Sequence, residues 1–96
     1  MSIYLTAILK SKKDKIQELK SILDNMVLNT RKEEACEKYE LQQGLEDETI
    51  FIFHEIWKSK NGLDAHNQQS YIKEFVEKAP ALLDKPAEIY LAKIIS

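Results

Sequence analysis

Residues 49–57 read TIFIFHEIW, and this stretch decides the fold class. β-Branched and aromatic residues dominate it, as is typical of a β-strand. Because successive side chains of a strand point to opposite faces, two apolar sets are separated: Ile50, Ile52 and Ile56 on one face, Phe51, Phe53 and Trp57 on the other. A strand that is apolar on both faces must be covered on both sides.

The segments before this strand predict a strand, a helix and a second strand. Residues 2–9 are apolar and predict the first strand. Apolar residues then recur every three or four positions, which predicts a helix at about residues 12–29, with Ser11 and Asp14 resembling a capping box at its start. Residues 35–43 predict the next strand, and Gly44 with the acidic residues after it supplies turn chemistry. This strand and residues 49–57 therefore predict a hairpin.

The segment after the hairpin predicts two helices. Ser59 can cap a short helix in which Leu63 and His66, three residues apart, lie on one face. A second apolar set begins at Ile72, nine residues after Leu63, and at about 100° per residue it is half a turn out of phase. One straight helix cannot bury both sets, so we predict a break in the polar residues 67–70.

The remaining residues predict the end of the second helix and a last strand. The helix is expected to end before Pro80, because proline disrupts a helix interior. Residues 87–95 are again apolar on both faces and predict the final strand. The order β-α-β-β-α-β is that of the α+β ferredoxin-like, split β-α-β arrangement, an antiparallel sheet with its helices on one face. The other apolar face then predicts a homodimer, since monomers rarely expose large apolar patches.

Length and composition set the class of protein. The 96 residues and 11.2 kDa predict a single domain spanning residues 1–96. A net charge of -2 argues against nucleic acid as a partner, and no stretch is apolar for long enough to span a membrane. The lone Cys36, the absence of a Gly-rich dinucleotide motif and the absence of metal-ligand spacing predict a cytoplasmic protein without bound cofactor or metal.

Two motifs carry a resemblance to a known family. Residues 55–66 read EIWKSKNGLDAH, and residues 35–41 read ACEKYEL. The Glu-x-Trp strand end, the Ser-capped helix with Leu and Ala-His, and the Cys-x-x-Tyr-x-Leu strand resemble the antibiotic biosynthesis monooxygenase domain, including its quinol monooxygenase-like members. The resemblance spans essentially the whole chain. It implies a dimeric α+β barrel and an oxygenase without flavin, haem or metal.

The resemblance also implies a reaction and residues to carry it. A hydroquinone or polyphenol would be deprotonated, and its carbanion would react with dioxygen. His66 would be the general base, because imidazole titrates near neutral pH, and Glu55 would orient the imidazole or a substrate hydroxyl. The remaining candidates would bind the aromatic ring: an aromatic wall of Trp57, Phe53 and Phe51, and the phenols Tyr39 and Tyr71.

The chain departs from the family pattern at two places. Tyr71 stands where many members have a second histidine, and the first strand lacks the Asn that haem-degrading relatives use, which argues against haem degradation. His54 lies on the strand face opposite Glu55, and we expect it to be at an interface or exposed.

Two other functions remain open at this level. The family also contains isomerases of small phosphorylated ketones, whose substrate would require Arg or Lys in the pocket, and Arg31 is the only Arg. The second alternative is a non-catalytic dimeric module that binds a small hydrophobic molecule. Fold alone does not separate these functions.

Overall fold

A four-stranded antiparallel sheet with three helices on one face makes up the structure. The computed structural model describes residues 1–96. Its elements follow in chain order: β1 (Ile3–Lys10), α1 (Ile16–Thr30), β2 (Cys36–Gln43), β3 (Ile50–Trp57), α2 (Lys60–Asn67), α3 (Ser70–Leu82) and β4 (Glu88–Ala92). The strand order is β2-β3-β1-β4, and every neighbouring pair is antiparallel. The ferredoxin-like α+β fold predicted from the sequence is confirmed.

Burial alternates strictly along β3, which pairs with β1 on one side and β2 on the other. Phe51, Phe53 and Trp57 face the helices and are buried with Glu55, as the period-two pattern predicted. The apolar stripes of α1 and α3 complete this core with Leu19, Leu23, Met26, Ile72 and Phe75. Burying each large apolar side chain contributes about 1.5–3 kcal/mol, so this one face accounts for most of the core.

The opposite face of the sheet has no covering layer in the single chain. The side chains of β1 and β3 that point there, such as Tyr4, Ile8, Ile52 and Ile56, are half-buried. On β4, Tyr90 pairs with Thr6 and therefore shares this face, where it is exposed. Its centre on β1 and β3 is mainly apolar, whereas the β2 edge carries Lys38, Glu40 and Gln42.

The capping box predicted at Ser11 and Asp14 is wrong. Helix α1 begins at Ile16 after Lys15, and no side chain caps it. Ser11 is instead buried in an isolated bridge with Leu83, where its backbone N–H donates to the carbonyl of Thr49 at 2.8 Å. The chain after β1 thus remains extended, because neighbouring segments bond its backbone before the helix can start.

The predicted helix end before Pro80 is also wrong. Helix α3 continues through Pro80 to Leu82, and the N–H of Leu83 donates to the carbonyl of Ala79 at 2.8 Å. Leu82 and Leu83 are both buried, and their burial offsets the roughly 3 kcal/mol that a proline costs inside a helix.

The last strand is shorter than the predicted residues 87–95. β4 ends at Ala92, which pairs with Tyr4 near the start of β1, and Ile94 and Ile95 are exposed. In an antiparallel register each further residue of β4 needs a partner one residue earlier on β1, and β1 begins at Ile3. The ladder therefore ends although the sequence remains apolar.

The predicted break between the last two helices is confirmed, because α2 ends at Asn67 and α3 begins at Ser70. Ser59 caps α2, and its Oγ accepts a hydrogen bond from the N–H of Gly62 at 3.1 Å. A carbon added at Cα of Gly62 would collide with Cβ of Ala35 in the turn between α1 and β2. The first turn of α2 therefore lies directly against that turn.

Replacing Gly62 by Ala is expected to destabilise the protein by about 1–3 kcal/mol. The new methyl group would collide with Cβ of Ala35, which is fixed to the backbone and cannot rotate away. Alanine otherwise favours a helix over glycine by about 1 kcal/mol, so the collision reverses the usual sign. Urea unfolding measures the loss, and the double variant Ala35→Gly with Gly62→Ala should recover much of it. A G62A protein as stable as wild type would show that the two segments do not meet.

Candidate functional site

A cavity of about 140 Å³ lies between the buried face of the sheet and helices α2 and α3. Its walls are mainly apolar, with Leu5, Ala7 and Phe53 on the sheet side. Val76 and Ile89, which are both exposed, border it on the outside. Glu55, His66 and Asn67 supply its ionisable and amide groups, and no Lys or Arg lines it. The cavity is therefore suited to a small, largely apolar molecule that offers one or two polar atoms.

The imidazole of His66 lines this cavity from the last turn of α2. The Ser59 cap fixes where α2 begins, and the three-residue spacing from Leu63 turns both side chains toward the sheet, where both are buried. The His66 ring packs on the Trp57 ring with centroids 4.5 Å apart and on the Tyr39 ring at 5.6 Å. Aromatic rings thus hold the imidazole in place on two sides.

Glu33, in the turn between α1 and β2, is the hydrogen-bond partner of His66. Its Oε2 lies 2.7 Å from Nδ1 of His66, and the two side chains are 12% and 5% exposed. The same Oε2 accepts a hydrogen bond from the hydroxyl of Tyr71 at the start of α3. Sequence reasoning missed Glu33, because it stands in the charged run RKEE, which is typical of a solvated turn. Its place two residues before the ACEKYEL motif is the one signal that could have drawn attention to it.

Glu55 does not bond the imidazole, which was one of the two roles predicted for it from the sequence. Its Oε1 accepts a hydrogen bond from Nε1 of Trp57 at 2.8 Å, and Glu33 rather than Glu55 bonds the imidazole. The pKa of Glu55 is raised to about 7, mainly by burial in the apolar cavity. The negative charge of Glu33 also raises this pKa, and the hydrogen bond from Trp57 opposes both effects. Glu55 therefore exchanges its proton near neutral pH, as a group that gives or takes protons requires.

Both tyrosines among the candidates stay protonated at neutral pH and are not bases, and Tyr71 donates a hydrogen bond to Glu33. Burial is the main cause that raises the pKa of Tyr39, and Glu55 adds to it. Burial and the bond to Glu33 likewise raise the pKa of Tyr71. Burial also raises the pKa of the Cys36 thiol to about 11, which makes it a poor nucleophile.

The structure brings together only part of the predicted set. Tyr39, Phe53, Glu55 and His66 line the cavity. Trp57 is completely buried behind His66, so it supports the imidazole from outside the cavity.

The other predicted residues lie elsewhere. Phe51 is buried near Val27 and Arg31, at the other end of the sheet face. Tyr71 lines a separate groove between α1 and α3 and reaches the site through Glu33. His54 is half-buried on the opposite face of the sheet, as its position in β3 predicted.

No group of three or more His, Cys, Asp or Glu side chains is placed to hold a metal ion. None of the helices has the length and apolar character needed to cross a membrane.

Comparison with known proteins identifies the family. Residues 2–78 match the family described as "Antibiotic biosynthesis monooxygenase". The chain belongs to the antibiotic biosynthesis monooxygenase family. The resemblance noted from the EIWKSKNGLDAH and ACEKYEL motifs is thus confirmed.

Two known proteins are similar to this chain in sequence. The chain is 31% identical over 87 residues to a Bacillus subtilis protein named "Putative monooxygenase YcnE", covering 91% of this chain and 92% of that protein. It is 38% identical over 86 residues, or 90% of its length, to an uncharacterized protein of Synechocystis sp.. The match spans only 58% of that Synechocystis protein.

Solved structures of other proteins have the same fold. A conserved protein from Methanosarcina mazei superposes with a TM-score of 0.90 at 31% identity, covering 97% of this chain and 92% of that one. Rv0793 from Mycobacterium tuberculosis superposes with a TM-score of 0.94 at 21% identity over 100% of this chain and 97% of that one, a likeness of fold alone.

The raised pKa of Glu55 predicts a specific pH dependence of stability. The folded state favours the protonated carboxyl, so its contribution is fully present below about pH 4.5 and is lost as the pH rises through about 7. The full effect is on the order of 3 kcal/mol. In the variant Glu55→Gln, whose amide oxygen can still accept from Trp57, this loss should be absent. Urea unfolding of both proteins from pH 4.5 to 8 measures the difference, and parallel curves would refute the assignment.

Proposed function

We propose that the protein is a cofactor-independent monooxygenase that oxidises a small phenol or hydroquinone with dioxygen. The observation that carries the proposal is the placement of His66 in an apolar cavity, with Nδ1 bonded to Glu33 and Nε2 without a hydrogen-bond partner in the protein. An imidazole with one nitrogen held and the other free is the usual arrangement of a general base. The family and the name of the Bacillus subtilis relative agree with this reaction class.

The size of the cavity favours a single aromatic ring. Its volume of about 140 Å³ is close to the roughly 150 Å³ of an apolar protein cavity that binds benzene. Phe53 and Tyr39 offer ring faces and edges to such a ligand, and Glu55 and His66 offer partners for its hydroxyl groups. A ligand with fused rings would have to extend outward past Val76 and Ile89.

The chemistry balances without an external reductant. Nε2 of His66 takes the proton of a ring hydroxyl, and the negative charge spreads to the adjacent ring carbon. That carbon gives electrons to dioxygen and forms a C–O bond, and the resulting peroxide loses water to leave a new carbonyl. Hydroquinone and dioxygen thus give hydroxyquinone and water, with all four electrons supplied by the substrate. Glu55 holds the ring oxygen and, near its pKa of about 7, can return a proton to the departing oxygen.

The isomerase alternative receives less support from the site. A phosphorylated ketone carries a dianionic group that needs Arg, Lys or a helix N-terminus, and no cationic side chain lines the cavity. Arg31 donates from Nε to the carbonyl of Tyr39 at 3.1 Å and is not among the lining residues. The non-catalytic binding module differs from the monooxygenase only in turnover, so the activity measurement separates them.

Replacing His66 by Ala is expected to lower oxygen uptake with hydroquinone by roughly 10²–10⁴-fold, because a positioned base is lost. An oxygen electrode measures the rate, corrected for spontaneous autoxidation, with a naphthohydroquinone as the larger comparison substrate. Asn61→Ala, an exposed change on the same helix, is the matched control and should keep the wild-type rate. Wild-type uptake no faster than the blank would overturn the monooxygenase proposal. Full activity in H66A would instead exclude His66 as the base.

A second copy of the chain covers the apolar outer face of the sheet in this proposal. The apolar part of this face includes two cross-strand pairs of β1 and β3, Ile8 with Ile52 and Tyr4 with Ile56, and Tyr90 on the neighbouring strand β4. Pairing two such faces would bury an area in the range of stable dimers, roughly 1,200–2,000 Å² in total. The half-buried, unpaired Cys36 fits a reducing cytoplasmic location for such a dimer.

Light scattering is expected to give a mass twice that of the 11.2 kDa chain. Replacing Ile52 by Glu should shift the protein toward the monomer, because a charge would be buried without a partner at the centre of the face. Leu45→Glu, at a fully exposed turn position, adds the same charge elsewhere and should leave the dimer intact. A wild-type protein that remains monomeric at micromolar concentration would contradict the proposed assembly.

A further inference from the structure

We propose that Glu33 is a positioning residue that holds the imidazole of His66 as the Nδ1–H tautomer and so makes Nε2 the proton acceptor. The role in the reaction rests on the proposed function, whereas the tautomer is a property of the protein alone. Two distant parts of the chain meet at this carboxylate: the turn after α1, and the end of α2 with the start of α3, which lie 33 and 38 residues further on.

The tautomer follows from the donors and acceptors present. A carboxylate only accepts hydrogen bonds, so the nitrogen 2.7 Å from Oε2 of Glu33 must carry the proton. In a neutral imidazole only one nitrogen is protonated, and Nε2 then retains its lone pair. The contact therefore decides which nitrogen of His66 can accept a proton from a ligand.

The charge of Glu33 strengthens this preference. Its side chain is only 12% exposed, and no Lys or Arg forms an ion pair with it. The hydroxyl of Tyr71 and Nδ1 of His66 are the donors that satisfy the carboxylate. When His66 takes a second proton at Nε2, its Nδ1–H remains bonded to the carboxylate, so the ring keeps its orientation.

Tyr71 keeps Glu33 in position for this contact. Its hydroxyl donates to the same oxygen that His66 contacts, and its pKa is raised by burial and by Glu33, so it remains a donor at neutral pH. Removal of the Tyr71 hydroxyl leaves the Glu33–His66 contact possible. The variant Tyr71→Phe should therefore weaken the arrangement without reversing the tautomer.

An alternative is that Glu33 only joins the turn to the two helices and has no effect on the imidazole. Both roles predict some loss of stability when Glu33 is replaced. Only the positioning role predicts a change in which ring nitrogen is protonated. The test therefore reads the protonation of the ring directly rather than stability.

The experiment is ¹⁵N NMR of the histidine rings in wild type and in Glu33→Leu, with spectra compared at a pH high enough for the rings to be neutral. The chain has two histidines, so His54 on the opposite sheet face is an internal reference in every sample. Wild type should show Nδ1 protonated. In E33L no carboxylate faces Nδ1, so the proton should no longer be held there and the Nε2–H form should appear. Glu34→Leu, at the exposed neighbouring position, is the matched control and should resemble wild type.

Oxygen uptake provides the second measurement on the same samples. If the proposed function is correct, E33L should lower kcat with hydroquinone by roughly 10²–10⁴-fold while KM changes little. A wild-type ring protonated at Nε2, or an E33L ring still protonated only at Nδ1, would overturn the role of Glu33 whatever the activity. The expected tautomers in a protein that consumes no oxygen would support the role of Glu33 and refute the monooxygenase proposal.

Discussion

The alternation of side chains along β3 is the constraint on which the rest of the structure depends. A strand with a period of two must send Phe51, Phe53, Glu55 and Trp57 to one face, so a carboxylate is buried in the same row as three aromatic rings. The apolar members of the row anchor the helices. Because those helices leave a mainly apolar cavity above the row, the buried Glu55 lies in its wall.

Two buried carboxylates at this site have different surroundings. Glu55 has one hydrogen bond from Trp57, and burial raises its pKa to about 7. Glu33 accepts hydrogen bonds from both His66 and Tyr71. One carboxyl is thus able to exchange a proton near neutral pH, whereas the other orients a base. Such a division of labour between neighbouring acids is typical of sites that move protons.

Three predicted ends of helices and strands were wrong because backbone pairing or side-chain burial outweighed the local sequence preference. Ser11 has the chemistry of a helix cap, yet its backbone is bonded to Thr49 and bridges Leu83. Pro80 should end a helix, yet α3 continues to Leu82 because the burial of Leu82 and Leu83 stabilises its last turn. The apolar residues after Ala92 should continue a strand, yet β1 offers them no further partner. Each of these outcomes depends on residues that are far away in the chain.

The sequence by itself determined the element order, the two faces of β3, the helix break after Asn67, the Ser59 cap and the family, because periodicity and short motifs are local properties. It also placed His66 on the buried face of α2. Only the tertiary structure decided which acid bonds the imidazole. Glu33 and His66 are 33 residues apart, and close packing of Gly62 against Ala35 brings their segments together. A contact of this kind leaves no periodic trace in a single sequence, since it depends on how a turn and two helices meet.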